Sequence, residues 1–208
     1  MIERSPWLDI PLADYEGHMA LPEVAQSRLL ADVFERLLQT YSPQSVAVFG
    51  CAGGNGLERV DPAVTRRVVG VDLNREYIST AAARFQERLP GLQLIVGDIA
   101  TDAVTFEPVE LIYAALVLEY VHPPDVLARL PSLLAPAGQF CVVSQLSGSS
   151  LPDITPTPYT SLHRLSAIMH SVSPHELRSF AGQQGFSVID EQIIGSAAGK
   201  QFQLQVFQ

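Results

Sequence analysis

The apolar run Ser45-Val46-Ala47-Val48-Phe49 empties into Gly50-Cys51-Ala52-Gly53-Gly54-Asn55-Gly56, and this junction constrains the chain more than any other stretch. Glycine tolerates positive φ and lets backbone amides approach a ligand closely, so glycines at the end of a buried strand, with a helix expected next, open a βαβ unit. The following run, Arg67-Val68-Val69-Gly70-Val71-Asp72, ends in an acid. Asp72 lies about 20 residues beyond the first glycine, the separation at which a carboxylate on the neighbouring strand end can accept hydrogen bonds from both ribose hydroxyls. Asp98 closes a third apolar strand near 92–96. Glycines that only turn the chain and acids that only cap helices would leave the same letters, but three strand ends converging on one crevice favour a ligand site at the carboxyl edge of the sheet.

The rest of the chain keeps the alternation. Ala25, Leu29, Leu30, Val33, Phe34, Leu37 and Leu38 recur at helical spacing after Pro22, which predicts an amphipathic helix in an N-terminal helical cap over 1–40. Helices are expected over 75–89 and 125–134, and strands over 109–115 and 138–145. Ser173-Pro174-His175-Glu176 carries the chemistry that caps and opens a helix, which Gly185 ends. GFSVIDEQIIG and KQFQLQVF, joined by Ser196-Ala197-Ala198-Gly199, read as an antiparallel hairpin. The expected fold is α/β: a Rossmann-like, doubly wound, seven-stranded sheet, mostly parallel with an antiparallel C-terminal hairpin. Residues 147–161 lack a defensible periodicity, and 147–172 are expected to form a substrate-side loop or lid. With 208 residues and no break in composition, residues 1–208 read as a single domain.

Composition narrows the partners. Thirteen Lys and Arg against 22 Asp and Glu give a formal charge of −9, a field that repels phosphate backbones and anionic lipid, so neither nucleic acid nor membrane is expected as a partner. The apolar stretch 111–118 is too short to span a bilayer, and Met1 to Trp7 have no secretory pattern. Only Cys51 and Cys141 are present, which indicates neither a disulfide framework nor a zinc cluster and fits a cytoplasmic location. No Gly-Lys-Ser/Thr follows the glycine turn, so a P-loop is excluded, and the glycine spacing departs from the dinucleotide G-x-G-x-x-G.

VAVFGCAGGNG, VGVDLN and VGDI together resemble the first three motifs of the class I S-adenosylmethionine-dependent methyltransferases, a likeness that runs along nearly the whole chain after Tyr15. The resemblance implies S-adenosylmethionine as cofactor. It would set Gly50, Cys51, Ala52 and Gly54 against the methionine moiety, Asp72 on the ribose and Leu73 against the adenine. The Asp98 carboxylate would take the adenine amine, and the Ile99 amide would donate to a ring nitrogen. LIYAALVLEYV resembles the family's fourth strand, which brings Ala114 to the cofactor, and Tyr15 would reach the methionine carboxylate from a front segment. The hairpin agrees with the family's inserted antiparallel seventh strand. Two departures stand out: Val48 replaces the usual acid two residues before Gly50, and Ala52 replaces the usual middle glycine.

The implied activity is methyl transfer to a small-molecule acceptor. In-line displacement at a methyl carbon gains most from positioning, so few dedicated residues are required; where a base helps, His122 and Glu119 are the candidates by position. Tyr120, Tyr159, His163 and His170 complete the candidates on the acceptor side. No third ligand joins His163 and His170, so no metal site is expected. Two alternatives stay open at this point, an NAD(P)-dependent oxidoreductase and a catalytically inactive S-adenosylmethionine-binding protein.

Overall fold

In a computed structural model that describes residues 5–101, 103–146 and 152–208, the apolar runs form seven strands. These are β1 (Ser45–Phe49), β2 (Arg67–Asp72), β3 (Leu92–Val96), β4 (Val109–Ala115), β5 (Leu134–Gln145), β6 (Val188–Gly195) and β7 (Gln201–Phe207). They align in the order β3-β2-β1-β4-β5-β7-β6. β1 to β5 pair in parallel, and β7 enters antiparallel between β5 and β6. Side chains alternate across a strand, and that alternation sorts the core into two halves. Val46 and Val48 pack with α2 (Ser27–Tyr41) and α3 (Arg75–Phe85) on one face. Ala47 and Phe49 face α4 (Pro123–Leu133) and α5 (Pro174–Gln183) on the other. Strands covered on both faces must be apolar throughout, which is why β1 and β2 read as unbroken runs.

The hairpin forms as expected, closed by the Ser196 N–H on the Lys200 carbonyl at 2.8 Å. Ser173 caps α5 by accepting from the Glu176 N–H. Three local expectations need correction. No α-helix follows the glycine turn: the chain makes turns to Gly56 and one 3-10 turn, Leu57–Arg59. Gly54 and Gly56 sit at φ +94° and +92°, and Pro62 both lacks a donor and disfavours helix at Asp61, so no helical run has room to propagate. Arg88 compensates by donating to the Leu57, Glu58 and Val60 carbonyls at 2.8, 2.8 and 2.7 Å.

Secondly, the N-terminal cap is two helices, α1 (Leu12–Ala20) and α2, and Ala25, at φ +52°, belongs to the turn between them. Thirdly, part of the expected lid is ordered as a 3-10 helix, Thr160–Ala167; it ends before His170, so His163 and His170 share no helix face, and both are exposed. The expectations for Met1 to Arg4 and for 147–151 lie outside the described residues.

Candidate active site

The carboxyl ends of β1, β2, β3 and β4 border one cleft of about 170 Å³. Gly50 turns out of β1 at φ +65°, and the Cys51 N–H donates to the Val71 carbonyl at 3.1 Å, tying the turn to β2. Ala52 follows at φ +46°, and its N–H donates to Asp72 Oδ2 at 2.9 Å. Asp72 Oδ1 accepts from the Asn74 N–H at 2.8 Å. The carboxylate thereby keeps lone-pair capacity for a ligand hydroxyl. Burial pushes the Asp72 carboxyl up, against the opposing pull of its backbone donors; hydroxyl donors at the free lone pairs would relieve that desolvation. Leu73, Asp98 and Ile99 line the same cleft, with Asp98 Oδ1 also accepting from the Ala100 N–H at 2.9 Å.

Not every expected site residue reaches the cleft wall. Gly50, Ala52, Asp72, Leu73, Asp98, Ile99 and Tyr15 line it. Cys51 is buried in the core beneath the turn, and Ala114 is fully buried in β4. Gly54 packs against Phe85, where an added Cβ would come within 2.5 Å of the ring. Val48, at the position of the usual acid, is buried among the apolar residues under α2. At the end of β4, Leu116 holds φ +53°, an unfavourable backbone for a non-glycine residue, anchored by its N–H on the Val143 carbonyl at 2.8 Å.

Trp7 and Tyr77, which the sequence did not single out, join Tyr15 and Tyr120 in an aromatic group beside the cleft. Trp7 meets Tyr15 and Tyr120 edge-on, at centroid distances of 5.6 and 5.1 Å, and Tyr15 stacks on Tyr77 at 6.3 Å. Asn74 holds Trp7 by donating to its carbonyl at 3.0 Å, and the Tyr77 hydroxyl donates to the Ile10 carbonyl at 2.9 Å. The front segment and the substrate-side segment meet here as one roof. His18 Nδ1 pairs with Thr157 Oγ1 at 3.0 Å, Ser161 Oγ donates to Asp14 Oδ2 at 2.6 Å, and Tyr159 packs so closely on Gly17 that a Cβ there would lie 2.3 Å from its hydroxyl. The absence of a Cβ at Gly17 was the available signal, but its partner is over 100 residues away.

The two candidate bases part company. His122 is exposed at the start of α4, with Nδ1 3.2 Å from Asp125 Oδ2. Glu119 is buried, and burial pushes its carboxyl up to about 7. Among the described residues no cluster of three or more His, Cys, Asp or Glu could hold a metal ion, and no helix is long and apolar enough to cross a membrane.

Comparisons with known proteins agree with this fold. Residues 46–138 match the family model described as a methyltransferase domain. The chain is 31% identical over 144 residues to a trans-aconitate 2-methyltransferase of Variovorax paradoxus (strain S110), a match that covers 67% of this chain and 50% of the relative. The chain thus spans half the length of that curated relative. Among solved structures, the N-methyltransferase NodS of Bradyrhizobium japonicum WM9, in complex with S-adenosyl-L-homocysteine, superposes with a TM-score of 0.66 at 20% identity, over 86% of this chain and 85% of that one. The [4+2]-cyclase SpnF superposes with a TM-score of 0.67 at 13% identity, over 87% and 79%. At such identities the structures establish a shared fold, and a cyclase among them shows that the fold alone does not dictate the reaction.

Proposed function

We propose that the chain belongs to the class I S-adenosylmethionine-dependent methyltransferases and transfers a methyl group from S-adenosylmethionine to a small-molecule acceptor. The observation that carries the reading is Asp72: a carboxylate at the end of β2, fixed by two backbone donors and lining a cleft with lone pairs to spare. Asp72 would hold the ribose, Leu73 and Ile99 the adenine, and Asp98 its amine. The Gly50 and Ala52 backbone would flank the methionine moiety, with Tyr15 over its carboxylate. Cys51, Gly54 and Ala114 would shape the turn and the strand beneath it. When bound, the cofactor supplies the methyl as an electrophile on a sulfonium, and the chain's task is to hold the acceptor in line and exclude water.

At about 170 Å³ the cleft is smaller than the roughly 300–1,000 Å³ of ordinary ligand pockets. The aromatic cover of Trp7, Tyr15 and Tyr120 therefore has to yield for a nucleoside to enter. The acidic balance, a charge of −9, supports a small acceptor over nucleic acid, as does the trans-aconitate named for the curated relative. We place the chain in the cytosol and treat it as one domain. The nicotinamide alternative is not favoured by the family match or by the antiparallel β7. Thermal unfolding with S-adenosylhomocysteine, S-adenosylmethionine, NAD and NADP tests the reading. A ligand at about 100 times Kd adds roughly 2.7 kcal/mol, and only the first two are expected to raise Tm. A rise with NAD(P) alone refutes the proposal, and binding without any turnover to S-adenosylhomocysteine across an acceptor panel would favour the inactive binding protein.

A further inference from the structure

A smaller cavity of about 60 Å³ adjoins the cleft and shares Trp7, Tyr15, Leu116 and Tyr120 with it. An engineered cavity of about 150 Å³ holds a benzene, so this one has room for the reacting end of a molecule rather than the whole. Its wall is mostly apolar, yet it contains two deeply buried ionisable side chains, Glu119 at 1% exposure and Lys200 at 3%. Glu119 Oε1 accepts from the Gln145 N–H at 2.8 Å. Its Oε2 is buried and has no hydrogen-bond partner among the described residues. Lys200 Nζ donates to the Asp153 carbonyl at 2.6 Å and to Gln145 Oε1 at 3.3 Å, which among the described residues leaves it one of three N–H donors. Gln145 thus joins the two groups into one polar edge that offers a ligand an acceptor at one end and a cationic donor at the other.

An unmatched carboxylate oxygen in an apolar wall is costly unless a ligand proton completes it. The geometry points to this cavity as the seat of a weakly acidic hydroxyl of the acceptor, such as a phenol's, with Glu119 Oε2 taking its proton and Lys200 holding the oxygen as negative charge develops. This deepens the methyl-transfer reading and rests on it. The O–H bond breaks toward Glu119, which ends protonated. The oxygen's electron pair forms the new C–O bond, and the pair of the broken S–C bond stays on sulfur. An amine acceptor would build a cationic product beside Lys200, and a carboxylate acceptor has no proton for Glu119 and would face its charge. Burial sets the Glu119 carboxyl at about 7 and lowers Lys200, which suits a base working near neutrality. The other titratable groups around the cavity are Tyr15 and His18 of α1, Tyr120 and Asp153.

The test titrates the whole chain with phenol, benzylamine and benzoate by ligand-observed NMR, in the wild type, Glu119→Gln and Lys200→Met. Phenol is expected to bind at least about tenfold more tightly than the other two, and each substitution is expected to weaken it by about tenfold, as loss of one charge-assisted hydrogen bond requires. With S-adenosylmethionine added, Glu119→Gln is expected to lower kcat for phenol by about 100-fold or more. It should also abolish the acidic limb of the kcat profile, a signature that a merely structural role would not give. Preference for benzylamine or benzoate, no phenol binding, or phenol binding unchanged in both variants overturns the proposal. Calorimetry of S-adenosylhomocysteine on the same samples judges the methyl-transfer reading separately, because the phenol titration contains no cofactor.

Discussion

The cleft has a floor and a roof, and they are built by different forces. The floor is backbone: the Cys51 N–H on the Val71 carbonyl at 3.1 Å, the Gly97 N–H on the Asp72 carbonyl at 2.9 Å, and strands whose side chains are buried on both faces. The roof is side chain on side chain, with His18 on Thr157, Ser161 on Asp14 and the edges of Trp7 against Tyr15 and Tyr120. Ladder hydrogen bonds in a doubly covered sheet open only with global unfolding, whereas short helices held by a few side chains open locally at lower cost. A site divided this way keeps its recognition geometry fixed while the covering part moves to admit ligands.

The largest effect is expected on the floor. Asp72→Ala removes the acceptors we propose for two ribose hydroxyls, and charge-assisted hydrogen bonds of this kind contribute about 1.5–3 kcal/mol each. Calorimetry should show S-adenosylhomocysteine affinity reduced by about 100-fold or more, with global stability changed by no more than about 1 kcal/mol. Equal loss of stability and affinity would mean that Asp72 holds the turn rather than the ligand.

Glu119 lies at the seam between floor and roof, and its effect depends on pH. Its carboxyl titrates at about 7 in the fold against an ordinary 4.5, so the folded chain binds that proton more tightly than the unfolded one does. The resulting destabilisation is absent below about pH 4.5, grows as pH rises, and is complete above about 7. Glu119→Gln should therefore stabilise the protein by about 2–3 kcal/mol at pH 8 and leave it unchanged at pH 4, as read by urea unfolding. A variant that gains stability while losing turnover shows a buried charge kept for function. A pH-independent difference would contradict the shifted titration.

Trp7 tests the roof. Trp7→Ala removes the ring that touches Tyr15 and Tyr120 but contacts no ladder, so hydrogen exchange should accelerate across 12–20 and 160–167, by about 2 kcal/mol of local opening, while β1 and β4 amides keep their protection. Uniform acceleration through the sheet would show that floor and roof unfold as one unit.

The same division explains what the sequence disclosed. Floor chemistry is local: Gly50 and Ala52 follow β1 directly, Asp72 ends β2, and the family pattern preserves their spacing. Even the antiparallel β7 was legible, because its turn, Ser196 to Gly199, lies between the two strands it joins. The helix expected after the turn fails for a local reason too, the Asp61-Pro62 pair. Roof chemistry is not local. Nothing in the sequence marks Trp7 or Tyr77, Lys200 reads only as a hairpin residue, and nothing near Tyr159 in the chain announces Gly17. Glu119 was a candidate by position, but its burial, its unpaired oxygen and its link through Gln145 to Lys200 depend on elements that only the folded sheet brings together.

The smallest expected effect returns to the floor, at the residue that departs from the family pattern. Ala52 occupies φ +46°, a left-handed backbone that costs an L-residue with a Cβ roughly 1–2 kcal/mol. Glycine removes that strain but adds freedom to the unfolded chain, which offsets part of the gain. Ala52→Gly should therefore raise stability by about 0.5–1 kcal/mol in urea unfolding, and it should leave the bond from residue 52 N–H to Asp72 Oδ2 intact, so S-adenosylhomocysteine affinity stays within about twofold. A loss of stability would mean that the methyl of Ala52, a residue 6% exposed, contributes more by packing than its backbone costs. The floor's rigidity at this turn would then come from side-chain packing, as the roof's does, and the contrast between them would narrow at the point where we propose the cofactor's methionine moiety lies.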